Sequence, residues 1–290
     1  MHSKLLSWLC LLGLFAIFTL QASAQQQAGQ IKAARVTGEV TATVKATNVT
    51  TAVTSNQDLA QGSIIRTAKG ASVVLLFSNG ATVNLGTESE LDIEQFTQDP
   101  FSARIEPATL TDEPTTSTTK LRLTRGELVG KVAHLKTTQG SSFNISTPVG
   151  AAGIRGTTFR IVYRPDGTGK AFFSLTTLEG NVELATGTTT PPVAVTDNKE
   201  VVLADLTVTV NDQTGQVTVT TSTGVTLTIP TVTDAPVTST QQIVDGAQQI
   251  AQAIANVVIT PPAPQPQPQQ DNTNSNQTLQ KPPTTSQSGL

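Results

Sequence analysis

Few residue types in this chain could support acid–base, nucleophilic or metal chemistry, and the sequence does not group them. Cys10 lies in an apolar N-terminal run, and His134 is the one histidine beyond that run. A catalytic triad or a zinc site needs several such groups together. We therefore expect His134 to be a structural or surface residue, and we predict no enzymatic activity, no metal site and no cofactor.

The regular spacing of ionisable groups is a run of carboxylates at every second position. Alternate residues of a β-strand point to one face, so these side chains share a face if the segment is a strand. Like charges in a row repel, and the face must be solvated or paired with cations. The alternative is a weak calcium site or a contact for a basic partner. The four residues are Glu88, Glu90, Asp92 and Glu94.

A second pattern is the segment TPVGAAGIRGTTFRI at 147–161, in which Gly150, Gly153 and Gly156 recur at every third position. Glycine tolerates positive φ and the close approach of another backbone. The pattern predicts a packed corner that leads into a strand. We expect Arg155 to pair with a local carboxylate and Thr157 to satisfy a backbone group. The alternative is that Arg155 contacts a partner.

Composition and charge indicate an exported β-protein. Threonine, with 50 residues, suits a pleated and half-solvated surface. A formal net charge of −3 without clustered Lys or Arg argues against nucleic acid as a partner. Residues 1–24 have a lysine, an apolar run and an Ala-Ser-Ala site, which is typical of a cleavable signal peptide. We expect a periplasmic or secreted protein with no transmembrane segment after cleavage.

Strand patterns separated by glycine turns predict an all-β domain over 34–185, with an inserted loop at 97–119. The apolar run VVLLF at 73–77 predicts a buried strand. The Ser-Asn-Gly sequence that follows it predicts a hairpin turn. Phe159, Tyr163, Phe172 and Phe173 are predicted as core. The other predicted segments are a flexible leader (25–33), additional strands (186–235), an amphipathic helix (239–258) capped by Ser239 or Thr240, and a disordered Pro/Gln-rich tail (261–290). We expect the helix to pack on an end or face of the β domain. The alternative is a helix that self-associates or binds a partner.

Residues 35–184 resemble the FecR-type domain of bacterial envelope proteins, through a set of motifs in the order of that family. The motifs are VTGEV (36–40), LAQGSIIRT (59–67), GASVVLLFSNGATVNLGTESELDI (70–93), LRLTRGELVGKV (121–132), FNISTPVGAAGIRGTTFRIVY (143–163) and LEGNVEL (178–184). The fifth is the most specific. It matches the family at Thr147, Pro148, Gly153, Arg155, Gly156, Thr157 and Phe159.

The resemblance implies a β-solenoid-like or rolled antiparallel architecture and a module that relays a signal in the periplasm. In the regulators that named the family, a cytoplasmic anti-sigma segment and one membrane span precede the domain, whereas this chain begins with a signal-peptide pattern. We therefore expect a non-catalytic binding or scaffold module with a protein partner in the envelope. The alternatives are a structural or adhesin-like envelope protein, and a signalling regulator of transport genes that lacks the anti-sigma segment.

Overall fold

The computed structural model describes residues 26–186, 191–210, 217–220 and 230–261. The predicted signal peptide, nearly all of the predicted tail and parts of the predicted additional strands lie outside these residues. The described chain folds into two β-sheets packed face to face, with one helix against the outside of the second sheet.

Sheet I contains nine strands in the spatial order β4-β3-β6-β9-β10-β11-β12-β15-β16, and the short β1 pairs with the end of β9. All of these pairs are antiparallel except β10–β11. The strands are β1 (Gln27–Ala28), β3 (Val40–Val44), β4 (Val49–Ala52), β6 (Ser63–Thr67), β9 (Glu90–Gln98), β10 (Ser117–Lys131), β11 (Ser142–Thr147), β12 (Gly150–Ile154), β15 (Val182–Ala185) and β16 (Val193–Val195).

Sheet II has the order β5-β2-β7-β8-β10-β13-β14-β17, and β18 and β19 pair with the two ends of β17. All of its pairs are antiparallel. The strands not yet named are β2 (Ile31–Thr37), β5 (Gln57–Leu59), β7 (Ser72–Phe77), β8 (Thr82–Leu85), β13 (Thr158–Pro165), β14 (Lys170–Glu179), β17 (Lys199–Val210), β18 (Val217–Thr220) and β19 (Thr233–Asp234).

The long strand β10 belongs to both sheets. Its first part pairs with β9 and β11 in sheet I, and from Gly126 onward it pairs with β8 and β13 in sheet II. Gly126 has φ +97°, and a Cβ there would lie 2.0 Å from Ser89 Oγ. A residue with a side chain fits neither the backbone conformation nor the space. The glycine therefore permits one strand to change sheets.

The main core lies between the sheets, where the inward side chains of both alternate with outward polar ones. Phe77 packs edge-to-face on Phe96 and Phe143, with ring centroids 5.1 Å and 6.4 Å apart. The run VVLLF is apolar throughout because β7 is covered on both faces. Val73, Leu75 and Phe77 belong to the main core, while Val74 and Leu76 meet the helix.

The helix α1 (Val237–Ile254) covers the outer face of sheet II. Its buried residues Ile243, Ile250 and Ile254 pack in a second apolar cluster with Val74 and Leu76. Of the two positions considered for this helix, an end or a face of the β domain, the structure shows the face. The prediction of an all-β fold with one C-terminal helix is confirmed. The solenoid-like architecture is not confirmed, since the strand pairs are antiparallel with one exception.

Three boundaries differ from the predictions. The predicted flexible leader is wrong from residue 26 onward, because β1 pairs with β9 and the fully buried Ile31 begins β2 between β5 and β7. The predicted loop 97–119 is shorter, since β9 extends to 98 and β10 begins at 117. Between them lie a 3-10 turn (Pro107–Thr109) and the buried Ile105, which pairs with Ile259.

The third difference lies in the helix, which ends at Ile254 where the prediction extended it to 258, and which also starts earlier. α1 begins at Val237, and Pro236 is its N-cap without a side-chain hydrogen bond. The Thr240 hydroxyl donates to the Val237 carbonyl inside the first turn, so the predicted cap at Ser239 or Thr240 is wrong. Proline restricts φ to a helix-compatible value and is tolerated at this end of a helix, where a missing N–H costs nothing.

Candidate partner-binding site

The glycine-rich segment at 147–161 begins with the hairpin turn between β11 and β12. The Thr147 hydroxyl donates to the Gly150 carbonyl (3.1 Å) and accepts from the amides of Val149 (3.2 Å) and Gly150 (3.3 Å). Pro148 occupies the two-residue turn, where its restricted φ is suitable. A Cβ at Gly150 would lie 2.1 Å from the Ala185 carbonyl oxygen of β15. Thr147 and Pro148 therefore shape the turn.

The corner of the segment is Gly156, between β12 in sheet I and β13 in sheet II. It has φ +75°, and a Cβ there would lie 2.6 Å from Cδ2 of His134. The His134 amide donates to the Thr111 carbonyl (2.8 Å), and the exposed imidazole lies 3.6 Å from the Asp112 carboxylate. His134 thus joins the corner to the 99–116 segment, which is a structural position at the surface.

The residues that follow the corner are buried. Phe159 lies in the main core, and the Thr157 carbonyl accepts the Val132 amide at 2.9 Å. The Thr157 hydroxyl has no hydrogen-bond partner among the described residues. The expectation that this side chain satisfies a backbone group is therefore wrong. The methyl of Thr157 instead packs against Gly180.

Arg155 alone of the seven motif residues is exposed. Its Nη2 lies 3.1 Å from Oε2 of Glu183 on β15, and 56% of the arginine side chain remains accessible to solvent. A pair this exposed contributes little to stability. The two charges are therefore able to re-pair with a partner at small cost.

Arg155 and Glu183 line a cleft of about 370 Å³ on the outer face of sheet I, which we call the signature cleft. Asn144 of β11 and Gly153 of β12 form its floor, and hydroxyl side chains from the turn before β11 form its rim. A Cβ at Gly153 would meet only ordinary contacts, 3.6 Å from Asn144 Oδ1. The missing side chain at Gly153 keeps the cleft open. The rim residues are Thr137, Thr138, Ser141 and Ser142.

The acidic strand β9 is matched by cations on its two neighbouring strands, β6 and β10, and in the turn after β3. Each carboxylate from Glu90 to Glu94 pairs across the outer face of sheet I: Glu90 with Arg66 (2.8 Å), Asp92 with Lys45 (2.8 Å) and Glu94 with Arg122 (2.5 Å). This arrangement is one of the two expected for a row of like charges. The carboxylates are occupied, and no two of them converge on one point where calcium would bind.

Glu88 does not belong to that row. It precedes β9, has φ +51° and is exposed in the turn after β8. The alternation of charges predicted that Glu88 belongs to the strand. The prediction is wrong because a left-handed turn residue can precede a strand without changing the sequence spacing of the charges. Its position in the structure is at a different groove, beside Lys69 and Arg125.

Three of the four aromatic residues predicted as core are buried: Phe159, Tyr163 and Phe173. Phe172 points outward and is 38% exposed, since it alternates with its neighbours along β14. Burial raises the pKa of the Tyr163 hydroxyl above its usual value.

A cluster of charges on the outer face of sheet II is not among the features that the sequence patterns predict. One carboxylate oxygen of Glu127 accepts from Arg160 (2.6 Å) and from Arg164 (2.8 Å). The sequence does carry one sign of this cluster, because Arg160 and Arg164 lie an even number of residues apart on one strand and so share a face. Glu127 on β10 is the register partner of Val162, which lies between the two arginines. That register cannot be obtained from the sequence spacing alone.

Within the described ranges, no group of three or more His, Cys, Asp or Glu side chains has the arrangement of a metal site. No helix in this part of the chain has the length and apolar character needed to cross a membrane.

The fold and the site together define a β-sandwich module whose family motif builds a corner and leaves one arginine over an open cleft. Residues 63–183 match the family described as FecR protein. The chain therefore contains a FecR domain over these residues, as its motifs predicted. The match begins at β6 and ends on β15.

Two crystal structures of a protein from Parabacteroides distasonis, provisionally assigned as an anti-sigma factor, are similar to this chain. The identities are 14% and 13%, and the TM-score is 0.35 for both. Each comparison covers 55% of this chain and 59% of the other, so the chain matches about three fifths of the length of that protein. No curated protein matches this chain.

Proposed function

We propose that this protein is an exported, non-catalytic FecR-domain protein that binds a protein partner in the periplasm or cell envelope. The contact surface is the signature cleft. The proposal rests on the exposure of Arg155 beside a cleft that Gly153 keeps open. The other motif residues form the turn, the corner and part of the core.

The cleft has the chemistry of recognition. Its hydroxyls and the Asn144 amide can both donate and accept hydrogen bonds, and Arg155 can form paired bonds to a carboxylate. Arginine is enriched in protein interfaces and among the residues that dominate binding energy. A proposal of catalysis would need an acid, a base or a nucleophile in a suitable arrangement, and the sequence offers one histidine and no cysteine beyond its first 24 residues.

Site-specific photocrosslinking in the bacterium that carries the gene tests this proposal. A photoreactive amino acid at Thr138, on the rim of the cleft, should give a discrete protein adduct. The same probe at Phe172, which is exposed on sheet II, is the matched control and should not give that adduct.

Gly153→Val then tests the cleft itself. A Cβ at this position meets no atom closer than 3.6 Å, so the fold should tolerate valine while the side chain fills the floor. The Thr138 adduct should disappear in Gly153→Val and weaken in Arg155→Ala, with the melting temperature of both variants nearly unchanged. An adduct that persists in Gly153→Val, or that forms equally well from Phe172, would contradict the proposed site.

A signalling role is the second candidate, and the FecR match over 63–183 favours it. In that case the partner at the cleft would be a component of an envelope relay. A sigma-factor gene and a transporter gene beside the gene for this protein would support this candidate. An adduct with an envelope protein that has no link to transport or transcription would count against it.

A further inference from the structure

We infer that a second groove, remote from the motif residues, binds a peptide segment with several carboxylates. This groove, here called the basic groove, has a volume of about 700 Å³, within the range of roughly 300–1,000 Å³ that is usual for ligand sites. Lys69, Arg125 and Arg164 line it from three separate parts of the fold, together with Glu88.

The cations of the basic groove are poorly neutralised. Among the described residues, the side chains of Lys69 and Arg125 have no hydrogen-bond or ion-pair partner, and both residues are exposed. Arg164 shares a single oxygen of Glu127 with Arg160, so one carboxylate serves two guanidinium groups. The row of cations on sheet I differs, because each member there has a carboxylate of its own. A chain with a net charge of −3 thus carries a local excess of positive charge.

The tertiary fold creates this excess. Lys69 is at the corner between β6 and β7, Arg125 is at the point where β10 changes sheets, and Arg164 is near the end of β13. The backbone there is tightly held: the Gly70 amide donates to the Thr87 hydroxyl at 2.7 Å, and Gly126 packs on Ser89. The site is therefore preorganised, which lowers the entropic cost of binding.

The groove suits an extended ligand because a second cavity continues from it. Arg164 also lines a cavity of about 380 Å³ between sheet II and α1, together with Gln242 and Gln249, whose Oε1 accepts from Asn84 Nδ2 at 2.8 Å. Glutamine amides can bond to the N–H and C=O groups of a peptide backbone. A ligand that crosses Arg164 would meet cations at one end and amides at the other.

The acidic residues of the two cavities decide the class of ligand. Glu88, Glu127 and Asp245 interrupt the positive surface. A polyphosphate or nucleic-acid backbone carries a charge on every unit and would meet these carboxylates. A peptide can alternate charged and neutral residues, so its carboxylates can meet the cations while other residues pass the acidic positions.

The test is binding of a labelled hexapeptide that alternates glutamate and alanine. Fluorescence anisotropy of the label measures the affinity, and NMR chemical shifts of the protein's backbone amides locate the peptide. The matching peptide of glutamine and alanine is the ligand control. Binding should weaken as salt rises from roughly 20 mM to about 150 mM, because the cations are exposed. The shifted amides should include Thr87 and Gly126, which lie in the basic groove.

Lys69→Gln/Arg125→Gln should weaken binding of the glutamate peptide by about tenfold or more. The matched control is Arg104→Gln/Lys120→Gln, which removes the same charge from exposed positions outside both cavities and should change the affinity by less than about twofold. Equal losses in the two double variants, or equal binding of the glutamine peptide, would overturn the proposal. Inorganic phosphate that displaces the peptide with equal affinity would mean a small-anion site and would also overturn it.

The basic groove and the signature cleft share no residues. The hexapeptide test therefore does not depend on the partner at the signature cleft, and either proposal can fail alone.

Discussion

Gly126 lies against Ser89 so closely that a Cβ on the glycine would be 2.0 Å from the serine hydroxyl oxygen and 2.5 Å from the serine Cα. The serine hydroxyl accepts the Glu127 amide (3.0 Å), the residue next to the glycine. This contact is located where β10 leaves sheet I and enters sheet II. The joint between the two sheets thus depends on an absent side chain.

Gly126→Ala should therefore destabilise the protein more than Gly140→Ala. Both glycines have φ +97°, but a Cβ at Gly140 would meet nothing within 4 Å. The left-handed conformation costs alanine about 1–2 kcal/mol at either site, and overpacking at Gly126 should add about 1–3 kcal/mol. Denaturant unfolding measures the difference. Equal losses would show that the backbone at Gly126 moves away from Ser89 freely.

Arg155→Ala should change the free energy of unfolding by less than about 1 kcal/mol, because its ion pair with Glu183 is exposed. Arg122→Ala is the matched control, since Arg122 pairs with Glu94 on the same sheet with a similar exposure of its side chain, 53%. Thermal unfolding of the two variants compares them. A loss above about 2 kcal/mol for Arg155→Ala alone would make Arg155 a structural anchor of the motif.

Glu113→Ala should destabilise the protein by about 1–3 kcal/mol, because it leaves the buried Ser117 hydroxyl and the half-buried Lys136 amide without this acceptor. The buried Glu113 carboxylate accepts the Lys136 amide (2.6 Å) and the Ser117 hydroxyl (2.8 Å), which ties the 99–116 segment to β10. Glu113→Gln keeps the shape and one acceptor oxygen, and the Ser117 hydroxyl can turn to accept instead of donate.

Chemical unfolding of Glu113→Ala, Glu113→Gln and Glu106→Ala separates these contributions. Glu106 is an exposed carboxylate in the same segment, and its side chain has no hydrogen bond among the described residues. The glutamine variant should lie between the alanine variant and the wild type. A Glu113→Ala protein as stable as Glu106→Ala would contradict the assigned role of the buried carboxylate.

Gly246→Ala should fail to stabilise α1, although alanine favours a helix over glycine by about 1 kcal/mol. A Cβ at Gly246 would lie 2.7 Å from Cγ2 of Val129 on sheet II. In a Val129→Ala background the two valine methyls at 2.7 Å and 3.0 Å are removed while the Cβ at 2.9 Å remains, so the same substitution should be more favourable there than in the wild type. A double-mutant cycle measures this coupling. Additive effects would mean that the helix is not held against Val129 in solution.

Alkaline pH should reveal the burial of Tyr163. Because burial raises the pKa of its hydroxyl, the unfolded chain ionises this group at a lower pH than the folded chain does. The associated stability is complete below the unfolded pKa, about 10, and is lost as pH rises through the folded pKa. The chain has one tyrosine, so tyrosinate absorbance reports this group alone.

The tyrosinate midpoint should be higher in the folded protein than in denaturant. Tyr163→Phe should remove the part of the alkaline loss of stability that is due to this hydroxyl. Identical midpoints in the folded and the denatured protein would contradict burial of the group.

Local patterns predicted the parts of the fold that neighbours in sequence control. The alternation around Phe159 and Ile161 predicted β13, and the apolar spacing from Ile243 to Ile254 predicted α1. The same logic failed for Ile31, whose strand is stabilised by β5 and β7 from elsewhere in the chain. It failed again for Glu88, because a left-handed turn residue keeps the period-2 spacing of charges while leaving the strand.

The sequence by itself determined the fold class, the helix and the FecR motif, because turns, strand alternation and helical periodicity depend on residues close together in the chain. Only the tertiary structure decided which charged side chains pair with each other and which remain open to a ligand. It joined Glu90, Asp92 and Glu94 to cations on two other strands and in the turn after β3. It left Arg155 over a cleft, and it left the Lys69 and Arg125 side chains without partners among the described residues. Strand register and the crossing of β10 between sheets set these distances, and neither is encoded in local spacing.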